Sequence, residues 1–369
     1  MTESHPPRFH LPELDLLRFF AFLLVFLSHA VPGDELFFSQ LNIPSAIAKS
    51  VIALAAGGAW GVDLFFTLSS YLITTLLLRE QAVYGTIDVG AFYLRRVLRI
   101  WPLYFSFLLG VIPLLHWASA GVMSSNYLVA FALFAGNWAC VWWGYPHSVA
   151  TPLWSVSIEE QFYLSWPLIV RRWHSNLFMV ISVMLVIAFV TRGWLAASGV
   201  EHPKIWCDTF ARLDPIAAGA LVAVVTQERK LFLSQSSRLT LFLTAVTTLS
   251  ILGRFGDFVG ARAQITYSAA SLACTAMLIA TIGMRLSASA RIVRLGCYFG
   301  RISYGLYIFH PMFLSLFDVA STSNSVMRLI RTVAAFASTA TVAALSYQFL
   351  ELPFLRLKQR ASRITSAPA

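Results

Sequence analysis

Charge is what this chain has least of. Only 12% of its 369 residues are charged, against about 25% in an average soluble domain. Hydrophobic residues make up 58%, and mean hydropathy is +0.70. That balance excludes a soluble fold and predicts a polytopic membrane protein. Acidic residues are scarcer still, 17 against 27 Lys and Arg, giving a formal net charge of +10. In a membrane protein such an excess marks cytoplasmic loops, so it is no sign of nucleic-acid binding. There are four cysteines (Cys140, Cys207, Cys274, Cys297), with no CxxC and no histidine at ligand spacing, which argues against a disulfide framework or a thiolate metal centre. His29 and His310 also lack a partner at a spacing such as HxxxH, so no metal is expected. Gly/Ser linkers and internal repeats are missing. The opening MTESHPPRFH has no cleavable-signal pattern, so the first helix is expected to insert as an uncleaved anchor. What is plentiful is aromatic: 11 Trp suit ring anchors at the bilayer interfaces.

Eleven apolar segments lie near residues 12–31, 51–78, 100–118, 126–143, 154–170, 176–196, 210–226, 239–253, 264–284, 300–320 and 329–350. Basic clusters fall at Arg95/Arg96/Arg99, Arg171/Arg172, Arg229/Lys230/Arg238, Arg285/Arg291/Arg294/Arg301 and Arg356/Lys358/Arg360/Arg363. If all are cytoplasmic, an even number of crossings must separate neighbours. Three segments lie between Arg99 and Arg171, so one of them does not cross. The weakest is 126–143, which holds Asn137 and ends in Trp138, Trp142 and Trp143. It reads as a re-entrant or interfacial piece on the outer side. The expectation is an all-α, single membrane domain over 1–369, with about ten transmembrane helices, both termini cytoplasmic and a short basic tail at 351–369. Arg192, Lys204, Arg254 and Arg262 remain as isolated outer-side charges.

The first apolar run, LDLLRFFAFLLVFLSHA, holds Asp15, Arg18 and His29. Eleven helical positions make ~1100° of rotation, so Arg18 and His29 share a face to within ~20° and lie ~16 Å apart along the axis. An ionisable group inside a span costs at least ~2.5 kcal/mol, so it usually faces a polar cavity on a functional path. Other polar groups reach membrane depth. Asp63 sits in GVDLFFTLSS, Arg96 and Arg99 share a helical face one turn apart, and Glu159 and Glu160 open the fourth span. Arg212 and Asp214 lie in TFARLDPIAAGAL, and Ser303, Tyr304, Tyr307 and His310 in GRISYGLYIFHP, while Glu351 closes the last span. Each has a structural alternative. Arg96 and Arg99 could be topology anchors, but two guanidiniums one turn apart can also grip phosphate. Glu160 could be a helix-start carboxylate, Asp63, Arg212 and Asp214 could form structural ion pairs, and His310 could be a packing histidine.

Seven motifs in order carry a resemblance over nearly the whole length: Arg18-x10-His29, GVDLFFTLSS, Arg96-Val97-Leu98-Arg99, WSVSIEEQFY from Trp154, RLD at Arg212 with Gly219, SYGLYIFH from Ser303, and Glu351-Leu352-Pro353. The chain resembles the bacterial membrane-bound acyltransferase 3 family, the type that includes O-antigen and exopolysaccharide O-acetylases. Two departures are small: Ser70 and Val156 stand where that family usually has Gly and Leu. The resemblance implies a ten-helix domain in the bacterial inner membrane that takes an acyl group from cytoplasmic acyl-CoA, acetyl-CoA above all. The acceptor it implies is a carbohydrate or lipid-linked glycan hydroxyl, as in a cell-surface polysaccharide or lipopolysaccharide. Some members add an SGNH-type esterase domain after the last span and this chain shows none, so the membrane domain either completes the transfer or hands the acyl group to a separate acyl-accepting protein.

On this reading His29 is the general base, Arg18 contacts the coenzyme or polarises its carbonyl, and Arg96 and Arg99 hold its phosphates. Glu159 orients a catalytic group or an arginine. Asp63, Glu160, Arg212, Asp214, Ser303, Tyr304 and His310 are further polar candidates. A covalent acyl-histidine stays open. The rival classes are a transporter or flippase for a glycan or small solute, using the buried charges as its path, and an acyltransferase acting on a small molecule such as an antibiotic.

Overall fold

The computed structural model describes residues 11–117, 123–229, 231–256, 258–286, 290–322 and 324–360. The N-terminal stretch 1–10, Lys230 and the tail beyond 360 lie outside the described residues. Among the described residues there are helices and no strand.

Helix α1 (Pro12–Ala30) starts with proline, which needs no N–H in the first turn, and carries Glu13 and Asp15 where the helix dipole favours them. Its 19 residues rise about 29 Å, the thickness of a hydrocarbon core. It occupies the centre, with Leu14, Leu17, Ala21, Phe22, Leu24 and Val25 all buried. The short α2 (Leu36–Gln40) leads to α3 (Ser45–Gly57), which passes through one 3-10 turn into α4 (Gly61–Tyr84). Gly85, at φ +71°, ends α4 in the left-handed conformation that glycine adopts freely. The next turn is pinned from both sides. Asp88 Oδ1 accepts the Ala91 N–H (2.9 Å), while Glu80 accepts the Asp88 N–H (2.8 Å) and pairs with Arg95 (3.3 Å). This fixes the start of α5 (Val89–Ser106), which runs through a π-helical turn into α6 (Ile112–Trp117).

The segment expected not to cross forms α7 (Ser125–Ala132) and α8 (Gly136–Trp143), two helices of eight residues. Each is about 12 Å long, well short of a ~30 Å core. Their irregular junction is satisfied by protein groups, as membrane depth requires. Gln161 Nε2 donates to Phe134 O (2.9 Å) and Asn137 Oδ1 (2.8 Å), and Asn137 Nδ2 donates to Cys207 O (3.1 Å) and Thr209 Oγ1 (2.9 Å).

Helices α9 (Leu153–Trp173) and α10 (Leu177–Ala197) meet at a 3-10 turn just after Arg171 and Arg172. After α11 (Lys204–Cys207) comes α12 (Leu213–Glu228), packed directly on α4. A Cβ at Gly219 would stand 2.2 Å from Thr67 O, so only glycine allows that approach. The Ser70 hydroxyl, in the position where a glycine was expected, donates across the same contact to Ile216 O. The remaining helices are α13 (Gln235–Phe255), α14 (Ala263–Thr281), α15 (Arg291–Arg301), α16 (Ser303–Leu316), α17 (Ser325–Ser346) and α18 (Leu352–Arg360).

Among the described residues, seven helical runs are long and apolar enough to cross a membrane, with α9 and α10 counted in one of them. Three charges in α1 and the 14-residue length of α16 keep these two out of that set, yet both are packed inside the bundle. Outward faces are apolar, as lipid contact demands: Phe178, Val186, Phe189, Val190 and Trp194 on α10 are all exposed. The chain is a polytopic helical membrane protein.

Candidate active site

Five helices, α1, α4, α5, α9 and α16, enclose a cavity of about 160 Å³ beside the N-terminal half of α1. Arg18, Arg96, Arg99, Glu159, Ser303 and Tyr304 line it together, so the structure gathers residues drawn from four distant stretches of sequence. Asp15, Ser69, Ser155, Tyr163 and Tyr307 complete its polar wall. Three guanidiniums (Arg18, Arg96, Arg99) face two carboxylates (Asp15, Glu159), a balance that favours an anion.

The arginines differ in how they are held. Arg18 pairs with Asp15 one turn back at 3.4 Å. Arg96 is stacked between the rings of Phe92 (5.4 Å) and Tyr163 (5.5 Å). Its Nε is buried without a hydrogen-bond partner among the described residues. Its neighbour Arg95 is tied to Glu80, so the two adjacent arginines have separate duties. Glu159 accepts from Ser69 Oγ (2.9 Å) and Tyr163 OH (3.0 Å), which fix its carboxylate on the cavity wall. Tyr304 OH donates to Ile100 O (3.2 Å). Tyr307 closes the far end, its hydroxyl bonded to Ser155 Oγ (2.8 Å) and Pro152 O (3.1 Å).

His29 and His310 lie beyond Tyr307, outside the cavity wall, and meet each other. His29 Nδ1 is 3.0 Å from His310 Nε2. His310 Nδ1 is 2.7 Å from Tyr307 O, and the Tyr307 and His310 rings are 5.6 Å apart. The pairing joins α1 to α16 across 281 positions, which no local spacing could have announced.

The other polar candidates sit apart from the cavity. Glu160 turns away and accepts from Trp101 Nε1 (3.2 Å). Asp63 pairs with Arg212 (2.6 Å) and Asp214 with Arg192 (3.0 Å), all buried. Arg212 lies over Trp206 (4.3 Å) and Tyr267 (5.1 Å). Arg192 also donates to Ala211 O, Ser268 Oγ and Gln264 Oε1. This cluster locks α4, α10, α12 and α14 together and has the form of a structural staple. Arg192, read from sequence as an isolated outer charge, is its second cation; a basic residue near the end of the apolar run 176–196 was the available signal. Ser69, Ser155 and Tyr163 were not singled out, although Tyr163 lies one helical turn after Glu159. Among the described residues no group of three or more His, Cys, Asp or Glu could hold a metal ion.

Fold and cavity together define a membrane-embedded bundle with an arginine-lined polar chamber and a histidine pair, His310 buried, that joins α1 to α16. Comparison with known proteins gives the family. The acyltransferase 3 family, described as an acyltransferase domain, matches residues 11–348, and the chain belongs to it. It is 27% identical over 325 residues to the peptidoglycan O-acetyltransferase OatA of Listeria monocytogenes, covering 81% of this chain and 51% of that protein. It is 29% identical over 382 residues to the putative peptidoglycan O-acetyltransferase YrhL of Bacillus subtilis, covering 93% and 55%. With the O-acetyltransferase OatA of Staphylococcus aureus it is 25% identical over 388 residues, 96% of this chain and 58% of that protein. The chain thus spans about half the length of the relatives it matches. No solved structure matches it.

Proposed function

We propose that this chain is a membrane O-acyltransferase. It moves an acyl group, acetyl in the first instance, from cytoplasmic acyl-CoA to a hydroxyl of a cell-envelope carbohydrate. The relatives named above make peptidoglycan the first acceptor to test. The observation that carries the reading is the cavity holding Arg18, Arg96 and Arg99 together, with His29 about 16 Å further along the same helix as Arg18. Arg96 has an unsatisfied buried donor on that wall, which fits a phosphate oxygen. The proposed topology has ten spans in the cytoplasmic membrane, both termini inside, and α7 and α8 as a non-crossing piece on the outer side. It places the arginines at the cytoplasmic end of α1 and His29 towards the other.

In the proposed reaction His29 takes the acceptor's hydroxyl proton as its oxygen bonds to the thioester carbonyl carbon. The C–S bond then breaks, and the proton passes to the departing coenzyme thiolate. Glu159 holds Tyr163, and Tyr163 in turn stacks on Arg96, so the carboxylate acts on the donor site through its neighbours.

Membranes carrying wild-type or His29→Ala protein, incubated with acetyl-labelled acetyl-CoA and envelope glycan, test this directly. Label should reach glycan only with the wild type. Equal labelling by correctly inserted His29→Ala would remove His29 from the chemistry. Solute movement without consumption of acetyl-CoA would replace the enzyme with a transporter.

A further inference from the structure

Four residues after Tyr307 in α16 comes Pro311. In an α-helix the N–H of residue 311 would donate to the carbonyl of residue 307. Proline has no N–H, so the Tyr307 carbonyl loses its helical partner. His310 Nδ1 takes that place at 2.7 Å. A carbonyl oxygen can only accept, so Nδ1 carries the hydrogen, and Nε2 of the neutral ring is left as an acceptor. His29 Nδ1 lies 3.0 Å from that nitrogen. The ring centroids are 5.2 Å apart with 17° between the planes, so the rings meet edge to edge and nearly coplanar. His29 Nδ1 must then be the donor, and its Nε2 is the bare nitrogen. His310 is fully buried, with Phe22 and Phe26 against its ring, and the other backbone group that faces it, the Leu306 carbonyl, is likewise an acceptor only.

We propose that His310 is a positioning residue for His29: the carbonyl that Pro311 frees fixes the His310 tautomer, and His310 in turn holds His29 with Nδ1 protonated and Nε2 free to accept a proton. The inference rests on His29 being the general base. Within that reaction the hydroxyl proton goes to His29 Nε2, and the imidazolium formed is stabilised through its Nδ1–H bond to His310 Nε2. The acceptor oxygen bonds to the acyl carbon, the C–S bond breaks, and the proton leaves His29 for the coenzyme sulfur. His310 has the orienting task that a carboxylate has in a serine–histidine–aspartate triad. A neutral ring performs it among phenylalanines without a buried charge.

The test is nitrogen-15 NMR of histidine-labelled full-length protein in detergent, above the imidazole titration range, with His29 assigned by its loss in His29→Ala. The expected wild-type result is His29 protonated at Nδ1. In His310→Phe the hydrogen should move to Nε2, with kcat lowered roughly 10²-fold, the lower end of what a positioned base contributes, and KM for acetyl-CoA unchanged. His310→Gln, whose amide oxygen can accept from His29 Nδ1, should recover most of that loss. Pro311→Ala returns a competing N–H to Tyr307; because a carbonyl has two lone pairs, it should lose activity only in part. That variant tests the lock even if His310→Phe does not fold. Wild-type His29 protonated at Nε2, or a His310→Phe protein with wild-type kcat, overturns the proposal. If His29→Ala still acetylates while the tautomer switches as expected, the base assignment fails and the tautomer lock stands.

Discussion

Replacing Arg96 with alanine removes a half-buried guanidinium, its Nε buried, from the cavity wall, and the structure indicates what that removal costs. Arg96 makes no ion pair among the described residues, its Nε is unsatisfied, and the rings of Phe92 and Tyr163 hold its plane. A hydrogen bond to a charged group contributes about 1.5–3 kcal/mol. At 1.4 kcal/mol per decade, that is about a tenfold to hundredfold weakening of CoA binding. Arg96→Lys keeps the charge but loses the planar fork and the stacking, so it should recover only part of the loss. Arg171→Ala, an exposed arginine of α9 on the same proposed face, serves as the control. Calorimetric titration of purified protein with CoA, without acceptor, reads affinity alone. If Arg96→Ala binds CoA as wild type does, or if Arg171→Ala weakens binding equally, the arginines are general topology anchors and the phosphate reading is refuted.

Breaking the Asp63–Arg212 pair is a different experiment, because both partners are buried and Arg212 would be left uncompensated. Asp63→Ala should destabilise the bundle by about 3–5 kcal/mol, while Asp63→Leu combined with Arg212→Met should restore much of it; thermal unfolding in detergent with a full double-mutant cycle decides, and a single variant that melts like wild type would contradict the staple. The topology can be read by labelling cysteines introduced at exposed positions in a Cys297→Ser background. Thr86→Cys, between α4 and α5, should react only after the membrane is permeabilised, and His147→Cys, after α8, should react from outside in intact cells. Labelling of both from the same side would mean that the segment from α7 to α8 crosses the membrane, against the proposed topology.

Much of this was legible in residues that break the rules of their surroundings. Arg18 and His29 interrupt the first apolar run, and the cost of placing ionisable groups there made a polar cavity on that face the natural expectation, while Arg96 and Arg99, one turn apart just before the third run, pointed to an anion. The parity of basic clusters singled out 126–143, and the fold breaks that stretch into the short helices α7 and α8, with Asn137 finding its partners in Cys207 O and Thr209. Partner choice was not legible. Asp63 and Asp214 each needed a cation, but sequence places Arg212 beside Asp214 while the fold gives Asp63 to Arg212 and Asp214 to Arg192. That exchange depends on how α4, α10 and α12 pack, a property of the whole bundle. The His29–His310 contact escaped for the same reason, although its local cause, a proline one position after a histidine, stood in the sequence throughout.

The arginine-lined cavity and the histidine pair are built on the same two helices, and under the proposed function this constrains the donor's shape. α1 gives Arg18 to the cavity and His29 to the pair; α16 gives Ser303, Tyr304 and Tyr307 to the cavity and His310 to the pair. Arg18 and His29 are therefore held about 16 Å apart, and Ser303 and His310 about 10 Å, by helical rise alone. A donor gripped by the arginines must present its reacting carbonyl far from its phosphates. A small acyl phosphate, with carbonyl and phosphate on adjacent atoms, cannot reach both centres at once. Coenzyme A carries its phosphates at one end and its thioester at the other end of a long arm, so it can occupy the arginine wall while its acyl group approaches Tyr307 and the histidines beyond. Under the proposed roles of the arginines and His29, that separation is a reason to test acyl-CoA before a small acyl phosphate as the donor.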